Sequence, residues 1–253
     1  MREKRVGEAV FLQFENMIAF PFLFHVMTTK KGFPHPRKEV DRLKALLGID
    51  RLYLPSQVHG SHWVLVDGEM EEAPVADALL VSVPEVCVGV LVADCVPLLV
   101  VDPHKRGLAV IHAGWRGILA SIHTKVIQAM HEVFGSRVSD LVAGVGPAIG
   151  ECCFEVGEDV AQLFYEMGGE RHVKSKRAKF FIDLRGIIME EWKAMGMREE
   201  HIEVSRECTF CRPDLFPSFR REREQAGRCL FLAGWKKTGR VLRENGIGFT
   251  IDR

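Results

Sequence analysis

Residues 88–101 and 108–111 form two almost purely apolar runs, joined by Asp102-Pro103-His104-Lys105-Arg106-Gly107. Apolar runs bounded by Pro and Gly predict buried strands that meet at a tight connection. Upstream, the apolar and aromatic residues 8–28 predict one or two strands, and the Gly and Pro content of 28–36 predicts a loop. Val40, Leu43, Leu46 and Leu47 suit an amphipathic helix ending near Gly48. Short strands follow at 52–54, 62–66, 78–83 and 86–93, with the polar break Gln57-Val58-His59-Gly60 before the second. Past the second apolar run, Ile118, Ile122, Val126, Ala129, Met130 and Val133 keep helical spacing, with Gly135 as a stop. The same reading places a strand at 140–146, a helix around Val160–Met167, and a helix capped by Asp183. Further strands fall at Ile202–Val204 and 243–253, and a polar, arginine-dense segment at 208–228. Interspersed strands and helices predict one domain over residues 1–253, of α/β (α+β) class, with a mixed β-sheet core flanked by helices.

The two apolar runs carry residues that packing does not require, Cys95 after Ala93-Asp94 and His112 before Ala113-Gly114-Trp115. If Val101 pairs with Leu108, Cys95 falls opposite Gly114 and His112 becomes its diagonal neighbour, roughly 7–8 Å away. A register slipped by one residue separates them. A thiol beside an imidazole suggests either a metal site or an activated nucleophile–base pair. With His59 from the polar break, the set is His59, Cys95 and His112. Two imidazoles and a thiolate are good zinc ligands and leave a fourth position open for water or substrate. The spacing matches no local metal motif, and a buried cysteine with two hydrogen-bonded histidines is the alternative.

Composition narrows the function classes. Lys+Arg and Asp+Glu both total 34, so the net charge is zero and a general nucleic-acid binder is not expected. No apolar run approaches the roughly 18 residues of a membrane span, and the N-terminus has no signal-peptide core. Seven cysteines without framework spacing suit a reduced, soluble, cytoplasmic protein. Cys208-Thr209-Phe210-Cys211 is a lone CxxC with no second pair in range, which argues against a zinc knuckle. Cys152 and Cys153 read as small buried residues. Arg220, Arg221, Arg223 and Arg228 form either a solvated face or an anion pocket, and Arg116 follows His112 closely enough to sit near whatever binds there.

Several blocks resemble the signatures of the YfiH-like laccase-domain family. They are Gln57-Val58-His59-Gly60, Ala76-Asp77-Ala78, Ala93-Asp94-Cys95-Val96-Pro97, and His112-Ala113-Gly114-Trp115-Arg116-Gly117. Further along come Gly146-Pro147-Ala148-Ile149-Gly150 with Cys152–Gly157, then Cys208–Cys211 with Ser218-Phe219-Arg220-Arg221 and Gly227-Arg228. The resemblance implies a zinc-dependent purine nucleoside phosphorylase acting on adenosine, inosine, guanosine and methylthioadenosine, with adenosine deamination as a side activity. It implies zinc held by His59, Cys95 and His112, which would also be the catalytic residues. Arg42 and Arg116 would bind substrate, purine nucleosides and phosphate being the partners, with no protein partner expected. The chain departs from the family at residues 30–36, where the loop is short and lacks the usual serine, and at Asp41-Arg42, where relatives carry Asn-Arg. The H-x-E and P-C-x-x-C deaminase signature is absent. Rival readings are a copper-dependent polyphenol oxidase, a cysteine hydrolase, and a non-enzymatic factor in peptidoglycan-precursor quality control. A multicopper site needs clustered histidines, and few of the ten fall in these blocks.

Overall fold

The computed structural model describes residues 1–236. Its first half comprises β1 (Arg2–Val6), β2 (Ala9–Gln13), α1 (Glu15–Ile18), β3 (Leu23–Thr28), α2 (Val40–Leu47), β4 (Arg51–Tyr53), β5 (Trp63–Val66), β6 (Ala78–Val81), β7 (Val86–Val92), β8 (Val96–Asp102) and β9 (Gly107–Ala113). Then come α3 (Trp115–Leu119), α4 (Ile122–Phe134), β10 (Val142–Val145), β11 (Glu155–Val156), α5 (Glu158–Glu166), β12 (Val173–Lys176), β13 (Lys179–Ile182), α6 (Leu184–Ala194), β14 (Ile202–Val204), α7 (Phe219–Glu222) and β15 (Cys229–Trp235). The class is α/β with mixed sheets.

The strands divide over two six-stranded sheets, in the orders β1-β2-β3-β15-β7-β4 and β14-β10-β8-β9-β6-β5, and a small antiparallel sheet β11-β13-β12. The large sheets pack face to face. Val88, Val90 and Phe231 of the first meet Leu79, Leu99, Val101, Leu108 and Val110 of the second. The alternate residues of β9, Ala109 and Ile111, point the other way, into a core shared with Ile122, Val126 and Met130 of α4 and Ile188 and Trp192 of α6. The outer face of the first sheet is covered by Leu43 and Leu47 of α2. Because both faces of β7, β8 and β9 are buried, their sequences are continuously apolar rather than alternating.

That burial also hides a boundary. Residues 88–101 read as one run, but β7 belongs to the first sheet and β8 to the second. The chain crosses between them at Ala93-Asp94-Cys95, with Asp94 in the left-handed region at φ 79°. The hairpin register is the one expected: β8 and β9 pair from Val96–Ala113 through Val101–Leu108 to Asp102–Gly107. The expected single helix after Trp115 is broken at Ser121, φ 60°, into α3 and α4. Asp183 caps α6 as expected, its carboxylate accepting from the Gly186 amide at 3.1 Å. Strand β15 lies at the centre of the first sheet, between β3 and β7, just past the polar segment, where the sequence reading placed no strand. The strand expected at 243–253 lies outside the described residues.

Candidate metal centre

Cys95 and Gly114 lie one step beyond the last paired residues of the β8–β9 hairpin. A Cβ added to Gly114 would stand 3.1 Å from both Cys95 Sγ and His59 Cδ2, so a side chain here would crowd the site. His59 comes from a different part of the chain, the turn before β5, and adopts φ 59°. The ring centroids of His59 and His112 are 4.8 Å apart, nearly perpendicular. One ligand atom from each of His59, Cys95 and His112 falls within 4.8 Å of the others. The structure thus brings the three together, with His112 buried, Cys95 half-buried and His59 exposed.

One buried carboxylate organises this convergence. Asp77 accepts from the amides of Val58, His59 and Gly60 at 3.3, 3.0 and 2.8 Å. It also bonds His112 Nδ1 at 2.8 Å. The turn carrying His59 and the ring of His112 are therefore tied to the same group. The His112 bond leaves Nε2 as the ring atom free to ligate, the usual carboxylate–histidine–metal arrangement. Asp77 has no part in the sequence reading beyond its block; the signal was an acid isolated between alanines at the start of an apolar strand.

The electrostatics suit a thiolate. Burial pushes the Cys95 thiol up, but hydrogen bonds and positive charge from His112 and His59 outweigh it and bring it down to about 6. Burial lowers His112, whereas Asp77 and Cys95 raise it, to a net value of about 9. Near neutrality the pair is a thiolate beside an imidazolium. Donor type, convergence and the oriented imidazole all fit a zinc ion with an open position.

Asp94, next to Cys95, is fully occupied. Its carboxylate accepts from Thr209 Oγ1 at 2.6 Å, Ser218 Oγ at 2.9 Å and the Arg220 amide at 2.7 Å. It pins the 209–220 segment against the site and is a positioning group.

The trio opens into a cleft of about 820 Å³. Its wall includes Leu91, Trp115, Ile149, Phe154, Leu184 and Phe219, and its charged side chains are Arg37, Lys38, Arg116, Arg220, Arg223 and Arg228, with Asp94 the one acid. Arg116 stacks on Trp115 at 4.1 Å and has no carboxylate partner among the described residues. Arg42 is placed elsewhere. Its guanidinium donates to the Gly32 carbonyl and pairs with Glu39 at 2.8 Å, stacks on Phe33, and faces a separate depression with Val6 and Leu46. Arg42, expected to bind substrate, does not line the cleft and is held by its own loop and helix. Arg221 is likewise spent on the carbonyls of Thr209, Phe210 and Phe216. Arg37 and Lys38, which the sequence reading did not assign to a site, line the cleft, as do Arg220, Arg223 and Arg228 of the arginine cluster.

The cysteines also need correction. Cys152 is exposed, Cys153 half-exposed, and together with Cys208 and Cys211 they form a second cluster within 4.8 Å. Parallel neighbours β10 and β14 end side by side at Val145 and Val204, so the loops that follow them run together, joined by a bridge between Ala148 and Cys208.

Residues 35–236 match the family of the multi-copper polyphenol oxidoreductase laccase, and the chain belongs to that family. It is similar to a purine nucleoside phosphorylase of Aquifex aeolicus, 31% identical over 72% of this chain and 82% of that one. Another purine nucleoside phosphorylase, from Bacteroides thetaiotaomicron, is 29% identical over 87% and 94%. A protein named adenosine deaminase RL5, from an unknown prokaryotic organism, is 32% identical over 71% and 73%. Among solved structures, YlmD from Geobacillus stearothermophilus superposes with a TM-score of 0.82 at 25% identity, covering 92% of this chain and 98% of that one. No described helix is long and apolar enough to cross a membrane.

Proposed function

We propose that the protein is a zinc-dependent purine nucleoside phosphorylase, with adenosine deamination as a side activity. The observation that carries this reading is the His59–Cys95–His112 trio opening onto a cleft that combines aromatic faces with uncompensated positive charge. The cleft falls within the usual range for a small-ligand site. Trp115, Phe154 and Phe219 offer faces for a purine, since every base has a π-face to stack. Arg116, Arg220, Arg223 and Arg228 supply charge for phosphate, where the planar guanidinium favours bidentate contact. In the reaction, a phosphate oxygen forms a bond to ribose C1′ as the C1′–N9 bond breaks; the purine leaves with the bond electrons and takes up a proton. A zinc ion held by the trio would supply Lewis-acid polarisation of an oxygen.

The chain's own residues divide the remaining work. Asp77 holds His59 and His112 in place. Asp94 keeps the 209–220 segment, and with it Arg220, against the cleft. Arg42 takes no part. The names of the relatives support purine nucleosides as the substrate class. A polyphenol oxidase would need a histidine-rich set for several copper ions, and among the described residues only His35, His59 and His112 line the cleft.

The test is phosphate-dependent release of hypoxanthine from inosine by zinc-loaded protein. Its rate should fall at least a thousandfold in Cys95→Ala. Absence of base release from inosine, adenosine and guanosine, with phenol oxidation by copper-loaded protein, would reject the reading in favour of the oxidase.

A further inference from the structure

We propose a second, structural zinc site formed by Cys152, Cys153, Cys208 and Cys211, independent of the nucleoside reading above. Four thiols lie with every sulfur within 4.8 Å of every other. Cys211 Sγ is 3.3 Å from Cys153 and 3.8 Å from Cys152. A tetrahedral ion with zinc–sulfur bonds of about 2.3 Å sets its four sulfurs about 3.8 Å apart. The cluster already has that scale. A multinuclear iron–sulfur cluster spreads its cysteines more widely, around several metal atoms, so a single ion is the fit. A disulfide is the poorer match, because Cys211 lies between two adjacent cysteines and neither sulfur approaches the roughly 2.05 Å of a bond.

The backbone around the cluster favours a thiolate at Cys208. The Gly150 amide donates to Cys208 Sγ at 3.2 Å. A side chain at Gly150 would crowd the cluster, because its Cβ would stand 3.2 Å from Cys152 Sγ and 3.3 Å from both Cys208 Cβ and the Arg185 guanidinium. Leaving four clustered thiols uncommitted, with Cys152 and Cys211 exposed, invites oxidation; coordination removes that liability. All four positions of the ion would be filled by protein, which marks a structural rather than a catalytic site.

The site would act as a clasp behind the open one. Residues 148–154 contribute Ile149 and Phe154 to the cleft wall, and the 208–211 segment contributes Thr209, which bonds Asp94 beside Cys95. Tying the two loops together fixes the floor under His59, Cys95 and His112.

The experiment is metal analysis of purified full-length protein, wild type and Cys95→Ala, after incubation with zinc and removal of loosely bound ion. The expected result is two zinc ions per chain in the wild type and one in Cys95→Ala. A Cys152→Ser/Cys211→Ser variant should also hold one, and should melt at a lower temperature. Cobalt-substituted Cys95→Ala should show the thiolate-to-metal charge-transfer absorption of a four-sulfur tetrahedral site, which decides the matter even if the double variant fails to fold. A Cys95→Ala protein that holds no metal while all four thiols react with a thiol reagent overturns the proposal. An intact mass lighter by one disulfide overturns it equally.

Discussion

The molecule gathers its cysteines in two ways, and the contrast between the two clusters separates their roles. At the open cluster one thiol meets two imidazoles, a buried carboxylate orients one of them, and the group faces a cleft with room for a substrate. At the closed cluster four thiols meet one another and backbone amides, close to the surface. Mixed nitrogen and sulfur donors with one vacant direction suit chemistry; four sulfurs with none vacant suit a fastening. Proton inventories differ as well. The imidazoles bring Cys95 down to about 6. Partial burial and the neighbouring thiols bring Cys152 up to about 11 and raise Cys153 too, whereas the Gly150 and Cys211 amides help hold Cys208 below its ordinary value despite its burial.

The widest separation between the clusters is expected in the pH dependence of zinc affinity. Metal must displace the protons its ligands carry, so affinity rises with pH. Between about 6 and 9 the Cys95–His112 pair retains one proton, because the thiol has already lost its own and the imidazolium has not. Over that window the open site should gain about tenfold in affinity per pH unit, and less above it. The closed cluster must shed at least the protons of Cys152 and Cys153, so it should gain about a hundredfold or more per unit near neutrality. Chelator competition on Cys95→Ala and on Cys152→Ser/Cys211→Ser isolates each slope. Equal slopes would erase the distinction drawn from the donors.

Asp77→Ala tests whether the carboxylate belongs to the open cluster alone. It should weaken zinc at that site by roughly 10- to 100-fold, the usual cost of losing a partner that orients a ligand, and leave the second ion in place. Thermal stability should also drop, because the Val58, His59 and Gly60 amides lose their acceptor. Loss of both ions together would mean that the two clusters share one folding unit.

The smallest effect concerns the cleft's arginines. Arg116→Ala should raise the phosphate KM about tenfold, equivalent to one charge-assisted contact, with zinc content unchanged. Arg42→Ala, outside the cleft, should stay within about twofold of wild type in the same assay. A reversed order would return the anion to the α2 side and refute the placement described above.

Much of this was legible before any coordinates. Periodicity located α2, α4 and α6 because each has one buried face and one exposed. The hairpin register followed from a tight connection between two apolar runs, and that register put Cys95 beside His112. Other features were hidden for definite reasons. Strands buried on both faces carry no alternation, so nothing in residues 88–101 announces that the chain changes sheets at Asp94. The seven residues of β15 were passed over for the same reason, coming directly after a polar segment.

What the sequence determined by itself is therefore local: which residues can ligate, which segments are helical, and which two strands meet at a short turn. Family resemblance favoured the metal reading of His59, Cys95 and His112 over its alternatives. What only the tertiary structure decided is which distant residues become neighbours. Asp77 joins two ligands 53 positions apart in the chain because its backbone enters β6 beside β9. Cys152 and Cys153 meet Cys208 and Cys211 because β10 and β14 are parallel neighbours whose exits run together. Arg42 sits on a correctly anticipated helix and still misses the cleft. Helical spacing specifies which face of α2 is buried, but only the packing of α2 on the outer face of the first sheet sets what lies across from the other one.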